Sequence, residues 1–242
     1  FLGGNIGLPA TELLPKLKQN SVVILELSSF QLQDLNCSPH ISVVLEVFPD
    51  HQENIKTAEH GTHRSLREYY DSKANIARYQ TGTDFAFFFA NQKNSRNIGL
   101  LGRAKKIAVN PEKFIEFNPA ELKIRGAHNF RNAVMAAMVA ESLGVPKKTI
   151  MRVVKNFKGL EHRSELVRKI SNVSFYNDSA STNPRTSSAA IRAFAGEAFS
   201  VILGGYDKGL DYSPVAKAIR KSKPCLVVLI GANSKKINAA IQ

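Results

Sequence analysis

The chain has 242 residues, of which 43% are hydrophobic and 22% charged, a composition typical of folded globular domains. No apolar run reaches the roughly 20 residues that a membrane-spanning helix needs. No signal-peptide pattern opens the sequence either, so we expect a cytoplasmic protein without a membrane partner. Two cysteines, Cys37 and Cys225, are too few for a disulfide framework or a cysteine metal site.

The chain is strongly basic, with 33 Lys and Arg against 20 Asp and Glu and a net charge of +13. Positive charge favours anionic partners such as nucleic acids, phosphates and acidic metabolites. No nucleic-acid-binding signature accompanies it, so we expect no nucleic-acid partner. The densest run of basic residues lies at 147–169, and a solvated helix face and a linker account for most of it. A non-enzymatic polyanion-binding domain remains an alternative.

Apolar runs and helical spacing alternate along the first 160 residues. Segments 22–27 and 41–47 are apolar on both faces, as buried strands of a parallel sheet are, and residues 84–90 predict another strand. Residues 106–124 break into short strand-like pieces. Apolar residues recurring every three or four positions predict helices over residues 63–79, 127–143 and 147–157.

Strands and helices alternate more regularly after residue 160. A hairpin is predicted across Ser171-Asn172, followed by alternating helices and strands. This order predicts a doubly wound α/β unit, so we place a domain boundary near residue 160 and divide the chain into 1–160 and 161–242. The predicted segments are strands 165–170, 173–176, 199–203 and 225–230, helices 184–194 and 214–221, and a terminal helix. Because the chain opens at Phe1 and stops inside this last helix, we expect a piece of a longer protein.

Two predicted strands carry metal-binding side chains at their carboxyl ends, where parallel sheets collect function. Glu26 ends the run VVILE, and Asp50-His51 follows the strand 41–47. A carboxylate and an imidazole at two strand ends could share a divalent cation. On spacing alone, Glu26 could equally cap a helix beginning at Ser28-Ser29, and His51 could be an ordinary loop histidine.

Glycines 3, 4 and 7 predict a turn at the start of the chain, whose backbone could approach a phosphate. A plain turn is the alternative. The phosphate-loop motif GxxxxGK[ST] is absent from the 242 residues.

Four further positions carry polar groups suited to an anionic ligand. Asn129 and Asn132 lie three apart at a helix start and could orient a purine or a phosphate, although Asn129 could simply be the helix cap. Arg163 in GLEHR could reach a phosphoryl group, or could be a surface arginine. Asp178 follows a strand and could bind a ribose hydroxyl or a metal-bound water.

Lys208 follows the strand 199–203 in the glycine-rich sequence GGYDKG. A flexible cation at a strand end is suited to a carboxylate ligand. An exposed lysine in a turn is the alternative.

The order of these motifs resembles that of the Mur ligase family. The series is ELSSFQL, DH, a lysine within a helix, HNxxN, GLxHR, NDSxxTNP and LGGxDKGxD, from Gly3 to about Ile230. The resemblance implies a fold with a UDP-binding domain, a central ATPase domain and a Rossmann-like C-terminal domain. By resemblance, this chain holds a partial central domain with a mostly parallel sheet, followed by a partial Rossmann-like domain.

The resemblance also implies an activity. ELSSFQL and LGGxDKGxD favour the family member that joins D-glutamate to UDP-N-acetylmuramoyl-L-alanine in peptidoglycan precursor synthesis. Such an enzyme uses ATP and Mg²⁺, forms an acyl phosphate, and is expected to be a cytoplasmic monomer with small-molecule partners. Without a phosphate loop, these 242 residues alone should not catalyse ATP-dependent ligation. Another Mur ligase, or a relative resembling folylpolyglutamate synthase, is the alternative within enzymes.

Each candidate site residue matches a family position. Glu26 and His51 match magnesium ligands, and Lys73 matches a lysine that carbon dioxide converts to a carbamate ligand; these three are the expected catalytic and metal-binding residues. Those implied to contact substrate are Asn5 and Ser28 near the muramoyl group and Lys208 on D-glutamate. Those implied to contact ATP are Asn129, Asn132, Arg163 and Asp178.

The chain departs from the family pattern at two positions. Ala180 stands where many members have a lysine, which removes one cation near the phosphates. Glu46 stands where an asparagine is common.

Overall fold

The computed structural model describes residues 1–49 and 63–242, which form two compact units, Phe1–Asn110 and Pro111–Gln242. The units divide before residue 160, and a domain boundary at 160 stays a prediction. Both units mix helices and strands, and four of the five strand pairings in the described residues are parallel, which confirms the predicted α/β class. No helix in the described ranges is long and apolar enough to cross a bilayer.

The first unit contains two parallel sheets. One pairs the first strand with the second, and the other has the order β3-β4-β5. The elements are β1 (Leu2–Gly4), α1 (Ala10–Leu13), β2 (Ile24–Glu26), α2 (Ser29–Gln33), β3 (Ile41–Val44), α3 (Leu66–Arg78), β4 (Phe85–Phe89), α4 (Lys93–Gly99) and β5 (Lys105–Val109).

Strand β4 forms the centre of the first unit. It pairs with β3 on one side and β5 on the other, and Phe87 and Phe89 are almost completely buried. Phe88 packs into a core with residues of β3, α3 and α4, among them Val44, Ala77 and Ile98. Burial on both faces explains why the sequence DFAFFFA has no polar alternation.

The prediction that segment 22–27 is a buried strand is wrong in its burial. The strand exists, but all of β2 is exposed, with Ile24 at 62% and Leu25 at 40%. The reason is that β2 pairs with β1 alone among the described strands. An apolar run shows that a strand can be buried, but it does not show which neighbouring elements would cover it.

The second unit begins with two helices and continues with a hairpin and alternating elements, as predicted. Strands β6 and β7 pair antiparallel, and β8 and β9 pair parallel. The elements are α5 (Ala127–Ser142), α6 (Lys147–Asn156), β6 (Glu165–Ile170), β7 (Val173–Asn177), α7 (Pro184–Arg192), β8 (Ser200–Gly205), α8 (Ser213–Ser222), β9 (Leu226–Gly231) and α9 (Ser234–Ile241).

Helices α7 and α8 cover the β8–β9 pair through a small apolar core around Ile191, Val215 and Ile219. The strands approach closely at their carboxyl ends, because Gly204 has a φ of 142° and a Cβ there would lie 1.8 Å from the Ile230 carbonyl oxygen. Glycine is therefore required where the chain leaves β8, at the start of the LGGYDKG motif.

Candidate active site

Glu26 is held beside the first strand by its backbone. Gly4 pairs with Glu26 in the β1–β2 register, and the Asn5 amide donates to the Glu26 carbonyl oxygen at 2.7 Å. A Cβ on Gly4 would lie 2.3 Å from that carbonyl oxygen, so only glycine permits the pairing. The predicted glycine turn is thus wrong for Gly3 and Gly4, which belong to β1, and the arrangement sets Asn5 and Glu26 side by side.

Ser28 is the N-cap of α2. Its Oγ accepts a hydrogen bond from the Gln31 amide at 3.2 Å, and the Gln31 side chain accepts one from the Ser28 amide at 2.9 Å. This capping box removes the need for Glu26 to cap the helix, so that reading of Glu26 is wrong. The Glu26 side chain is exposed at the end of β2, in front of α2.

Lys73 lies on α3, with its Nζ 5.2 Å from the centre of the Tyr69 ring, one helical turn earlier. Helix α3 is fixed against α2 because Asn75 donates to the carbonyl oxygens of Leu32 and Gln33. The same two helices are joined near their first turns by His63, whose Nε2 lies 2.8 Å from the Ser29 hydroxyl. The helix that carries Lys73 is therefore docked on the helix that Ser28 begins.

His51 and the neighbouring Asp50 lie outside the described residues. Among residues 1–49 and 63–242, no three His, Cys, Asp or Glu side chains are placed to hold a metal ion. The magnesium site built on Glu26, His51 and Lys73 therefore stays a prediction. An exposed carboxylate at a strand end does have the chemistry for it, since Mg²⁺ is usually bound by one or two carboxylates together with substrate phosphates.

Asn129 and Asn132 lie on the first turns of α5. The reading of Asn129 as the helix cap is wrong, because α5 begins after Gly126, whose φ is 90°. Asn129 instead donates from Nδ2 to the Arg125 carbonyl oxygen at 2.8 Å, and Asn132 is exposed.

Three hydrogen bonds bring the segment around Arg163 against the loop that carries Asp178. Asp178 Oδ1 accepts from the Ser164 amide at 2.8 Å and from its hydroxyl at 3.1 Å. The Ala180 amide donates to the His162 carbonyl oxygen at 3.1 Å. Because His162 and Ser164 have φ values of 63° and 47°, this turn is strained and its shape is set by these partners. The exposed Arg163 therefore stands beside the NDS motif.

A cavity of about 210 Å³ lies at the carboxyl end of β8. Lys208 lines it together with hydroxyl and amide groups, and no Asp or Glu is among the described residues that do so. The polar residues include Ser179, Ser181, Thr182, Tyr206, Tyr212 and Asn233. The cavity is smaller than the roughly 300–1,000 Å³ of drug-sized sites, which favours a small anionic ligand.

The two aspartates of the LGGYDKGLD motif have structural partners. A hydrogen bond from Lys236 and another from the Gly209 amide hold the pKa of Asp207 below its usual value. Asp211 accepts hydrogen bonds from the amide and the hydroxyl of Ser213, which lower its pKa as well. Both carboxylates shape the loop around Lys208 and are not presented to the cavity.

Sequence reasoning missed two residues of the second unit. Asn233 lines the cavity but follows β9 in GANS, which matches none of the motifs. Arg125 precedes the HNxxN motif and contacts β7 and the turn after α7. A polar residue directly after a parallel strand was the signal that could have identified Asn233.

No protein-family model matches the chain. It is 33% identical to a UDP-N-acetylmuramoylalanine–D-glutamate ligase of Ruminiclostridium cellulolyticum, over 99% of this chain and 54% of that protein. The ligase of the same name from Acetivibrio thermocellus is 34% identical over all of this chain and 54% of its own length. The chain thus spans about half the length of these curated relatives.

Solved structures show the same fold. MurF from Acinetobacter baumannii matches with a TM-score of 0.73 at 15% identity, over 99% of this chain and 64% of that one. UDP-N-acetylmuramate–alanine ligase from Thermotoga maritima matches with a TM-score of 0.63 at 18% identity, over 99% of this chain and 63% of its own. A fragment of a Mur ligase fits these similarities. Within that family, the curated relatives it matches bear the name of the D-glutamate-adding ligase.

Proposed function

We propose that this chain is part of an ATP-dependent ligase that joins D-glutamate to UDP-N-acetylmuramoyl-L-alanine. The observation that carries the proposal is similarity of 30–34% over nearly the whole chain to ligases of that name. The Lys208 cavity, small and free of carboxylates among its described lining, is consistent with an amino-acid dicarboxylate. We further propose a cytoplasmic monomer, with the central domain ending near residue 160.

The reaction has two steps. A carboxylate oxygen of the L-alanyl group attacks the γ-phosphorus of ATP, giving an acyl phosphate and ADP. The amine nitrogen of D-glutamate then attacks the acyl carbon, the bond from that carbon to the phosphate oxygen breaks, and inorganic phosphate leaves. The new amide forms as the nitrogen loses its proton. Every reactant is anionic, so the site must supply positive charge where charge develops.

In this proposal the first unit handles the metal and the acceptor substrate. Glu26, His51 and a carbamylated Lys73 would hold Mg²⁺, which when bound neutralises phosphate charge. The exposed carboxylate of Glu26 fits this role. Asn5, fixed beside Glu26, and Ser28, at the start of α2, would contact the muramoyl substrate.

The second unit would hold the nucleotide and the amino acid. Arg163 would contact the ATP phosphates, and Asp178, whose loop is bonded to the Arg163 turn, would contact the ribose. The amides of Asn129 and Asn132 would face the adenine or the phosphates. Lys208 would bind a carboxylate of D-glutamate.

The test is an assay of the full polypeptide that contains these residues, with UDP-N-acetylmuramoyl-L-alanine, ATP, Mg²⁺ and each candidate amino acid. We expect ligation of D-glutamate alone. Ligation of a different amino acid would assign the chain to another branch of the family.

Glu26→Ala is expected to abolish ligation with little change in folding, because the substitution removes an exposed carboxylate and no core contact. Activity close to that of the unsubstituted enzyme would contradict the metal role of Glu26. Leu25→Ala, which changes the neighbouring exposed side chain of β2, is the matched control and should retain activity.

A further inference from the structure

Asn233 lines the Lys208 cavity and carries a buried amide oxygen that has no hydrogen-bond partner in the described part of the chain. The residue is 6% exposed and lines the cavity. Its Nδ2 donates to the hydroxyl of Tyr212, another lining residue, at 2.9 Å. Its Oδ1 is buried and has no hydrogen-bond partner within the described part of the chain. A buried carbonyl oxygen left unpaired is destabilising, so such an atom calls for a hydrogen-bond donor.

The orientation of this side chain is unusual for its position. Asn233 is the N-cap of α9, where an asparagine normally turns its oxygen onto the amides of the first helical turn. Here the side chain makes no capping hydrogen bond. Its backbone is nevertheless fixed, because the Asn233 amide donates to the Gly205 carbonyl oxygen at the end of β8. The fold thus holds Asn233 beside the carboxyl end of β8, the strand that precedes Lys208. Its Oδ1 is not used in capping α9 and can accept a hydrogen bond from another donor.

The cavity offers complementary chemistry to an amino acid. Lys208 supplies a positive charge for a carboxylate, and the unpaired oxygen of Asn233 can accept a hydrogen bond only from a donor such as an amine. We propose that Asn233 is a substrate-binding residue whose Oδ1 accepts a hydrogen bond from the amine of the amino-acid substrate. This inference rests on the proposed ligase function.

A neutral acceptor suits an amine that must become a nucleophile. A carboxylate at this position would stabilise the ammonium form and raise the pKa of the amine, so that fewer molecules would carry a free lone pair. An amide oxygen orients the N–H bonds without that effect.

The test compares two probes, D-glutamate and glutarate, which shares both carboxylates but lacks the amine. Binding of each is measured by calorimetry on the full polypeptide, alongside the KM for D-glutamate in the ligation assay. We expect the unsubstituted enzyme to prefer D-glutamate and Asn233→Ala to lose that preference, with a roughly tenfold or greater rise in KM. Lys208→Ala should weaken the binding of both D-glutamate and glutarate. Asn238→Ala, an exposed asparagine on the same helix, is the control.

Asn233→Asp gives a second readout, which a purely structural role would not move. This variant should keep the preference for D-glutamate, while the pH of half-maximal ligation shifts upward. A retained preference in Asn233→Ala, or an unchanged pH profile in Asn233→Asp, overturns the inference. If Asn233→Ala does not fold, the pH profile of Asn233→Asp decides. If the enzyme ligates no amino acid at all, the proposed function fails, and the two-probe comparison still judges the amine contact by itself.

Discussion

Arg125 connects three segments of the second unit through one side chain. Its Nε donates to the Tyr176 hydroxyl at 3.1 Å, and its Nη1 lies 2.5 Å from Glu197 Oε1. The guanidinium also lies over two aromatic rings, 5.2 Å from the centre of Tyr176 and 4.9 Å from that of Phe194. No other cationic side chain has a planar group that can donate hydrogen bonds and stack on aromatic rings at the same time.

We therefore expect Arg125→Lys to destabilise the protein although the charge is kept. The loss of stacking and of the fork geometry should lower the free energy of unfolding by about 1–2 kcal/mol, with a small share from the partly exposed Glu197 pair. Urea denaturation measures the change. Arg67→Lys, at a 92% exposed side chain that pairs with Asp71 one turn later, is the matched control and should change stability by less than about 0.5 kcal/mol. Equal effects of the two substitutions would contradict the role given to Arg125.

At the level of single residues, the sequence revealed the strand-end groups and missed those defined by packing. Glu26 and Lys208 could be selected because polar residues after apolar runs are visible in the chain. Arg125 and Asn233 depend on partners 51 and 21 residues away, Tyr176 and Tyr212, which no local pattern contains. The expected carbamylation of Lys73 rests on family resemblance alone and stays a prediction, since a lysine on a helix is ordinarily solvated.

Helix α2 has only five residues and depends on its capping box. Ser28→Ala removes the cap and should lower the free energy of unfolding by about 1 kcal/mol. Ser28→Asp keeps an oxygen that can cap the helix and should restore most of that loss. Chemical denaturation of the two variants measures both effects.

The same pair separates capping from substrate binding. An aspartate at position 28 would repel the anionic muramoyl substrate, so we expect Ser28→Asp to raise the KM for that substrate even though it restores stability. A variant that recovers both stability and KM would show that Ser28 serves the helix alone.

The segments that lead into β3 and β4 are joined by a hydrogen bond between His40 and Asp84. Asp84 accepts hydrogen bonds from the amide and hydroxyl of Thr81 and from His40, and these hold its pKa below the usual 3.8. Because the folded state lowers this pKa, the stabilisation is fully present above the unfolded pKa and is lost as the pH falls through the folded value. We expect Asp84→Asn to be less stable than the unsubstituted protein at pH 7, and the difference to shrink below pH 3.8. Denaturation midpoints across this range measure it; a constant difference would contradict the argument.

The sequence predicted whether a segment forms a helix or a strand better than it predicted whether that segment is buried. The Ala-rich helix is a case of success: it was predicted to stop at Gly144, and α5 ends at Ser142 with Gly144 at a φ of 78°. The exposed β2 is the opposite case, since its apolar run resembles that of the buried β4. What differs is the number of neighbouring strands and covering helices, which is a property of the whole sheet.

The division into compact units depends on contacts between distant segments. The units divide after Asn110, while the domain boundary near residue 160, expected from the change to regular alternation, stays a prediction. Residues 111–160 belong to the second unit partly through the Arg125 contacts, which link the segment before α5 to β7. Contacts between distant segments decide such a division, and a change in periodicity does not report them.

The net charge of +13 bears on the alternative of a polyanion-binding domain. Part of the basic run is already engaged: Lys147 lies 2.6 Å from Glu116 and 3.3 Å from Glu141, and Lys155 pairs with Glu121. The hydrogen bonds from Glu116 and Glu141 raise the pKa of Lys147, as expected for a paired ammonium group. Internal pairing leaves less charge to release counterions from a nucleic acid.

We therefore expect binding to duplex DNA no tighter than roughly 10⁻⁴–10⁻⁶ M at physiological salt, the range of non-specific contacts. Fluorescence anisotropy at two salt concentrations measures both affinity and salt slope. The double variant Glu116→Gln and Glu141→Gln releases Lys147 and should tighten binding modestly, whereas Glu12→Gln, far along the chain in α1, should have less effect. Nanomolar binding that weakens when residues 147–169 lose charge would favour the polyanion-binding alternative. A ligase site neutralises only a few phosphates and does not require so high an affinity for DNA.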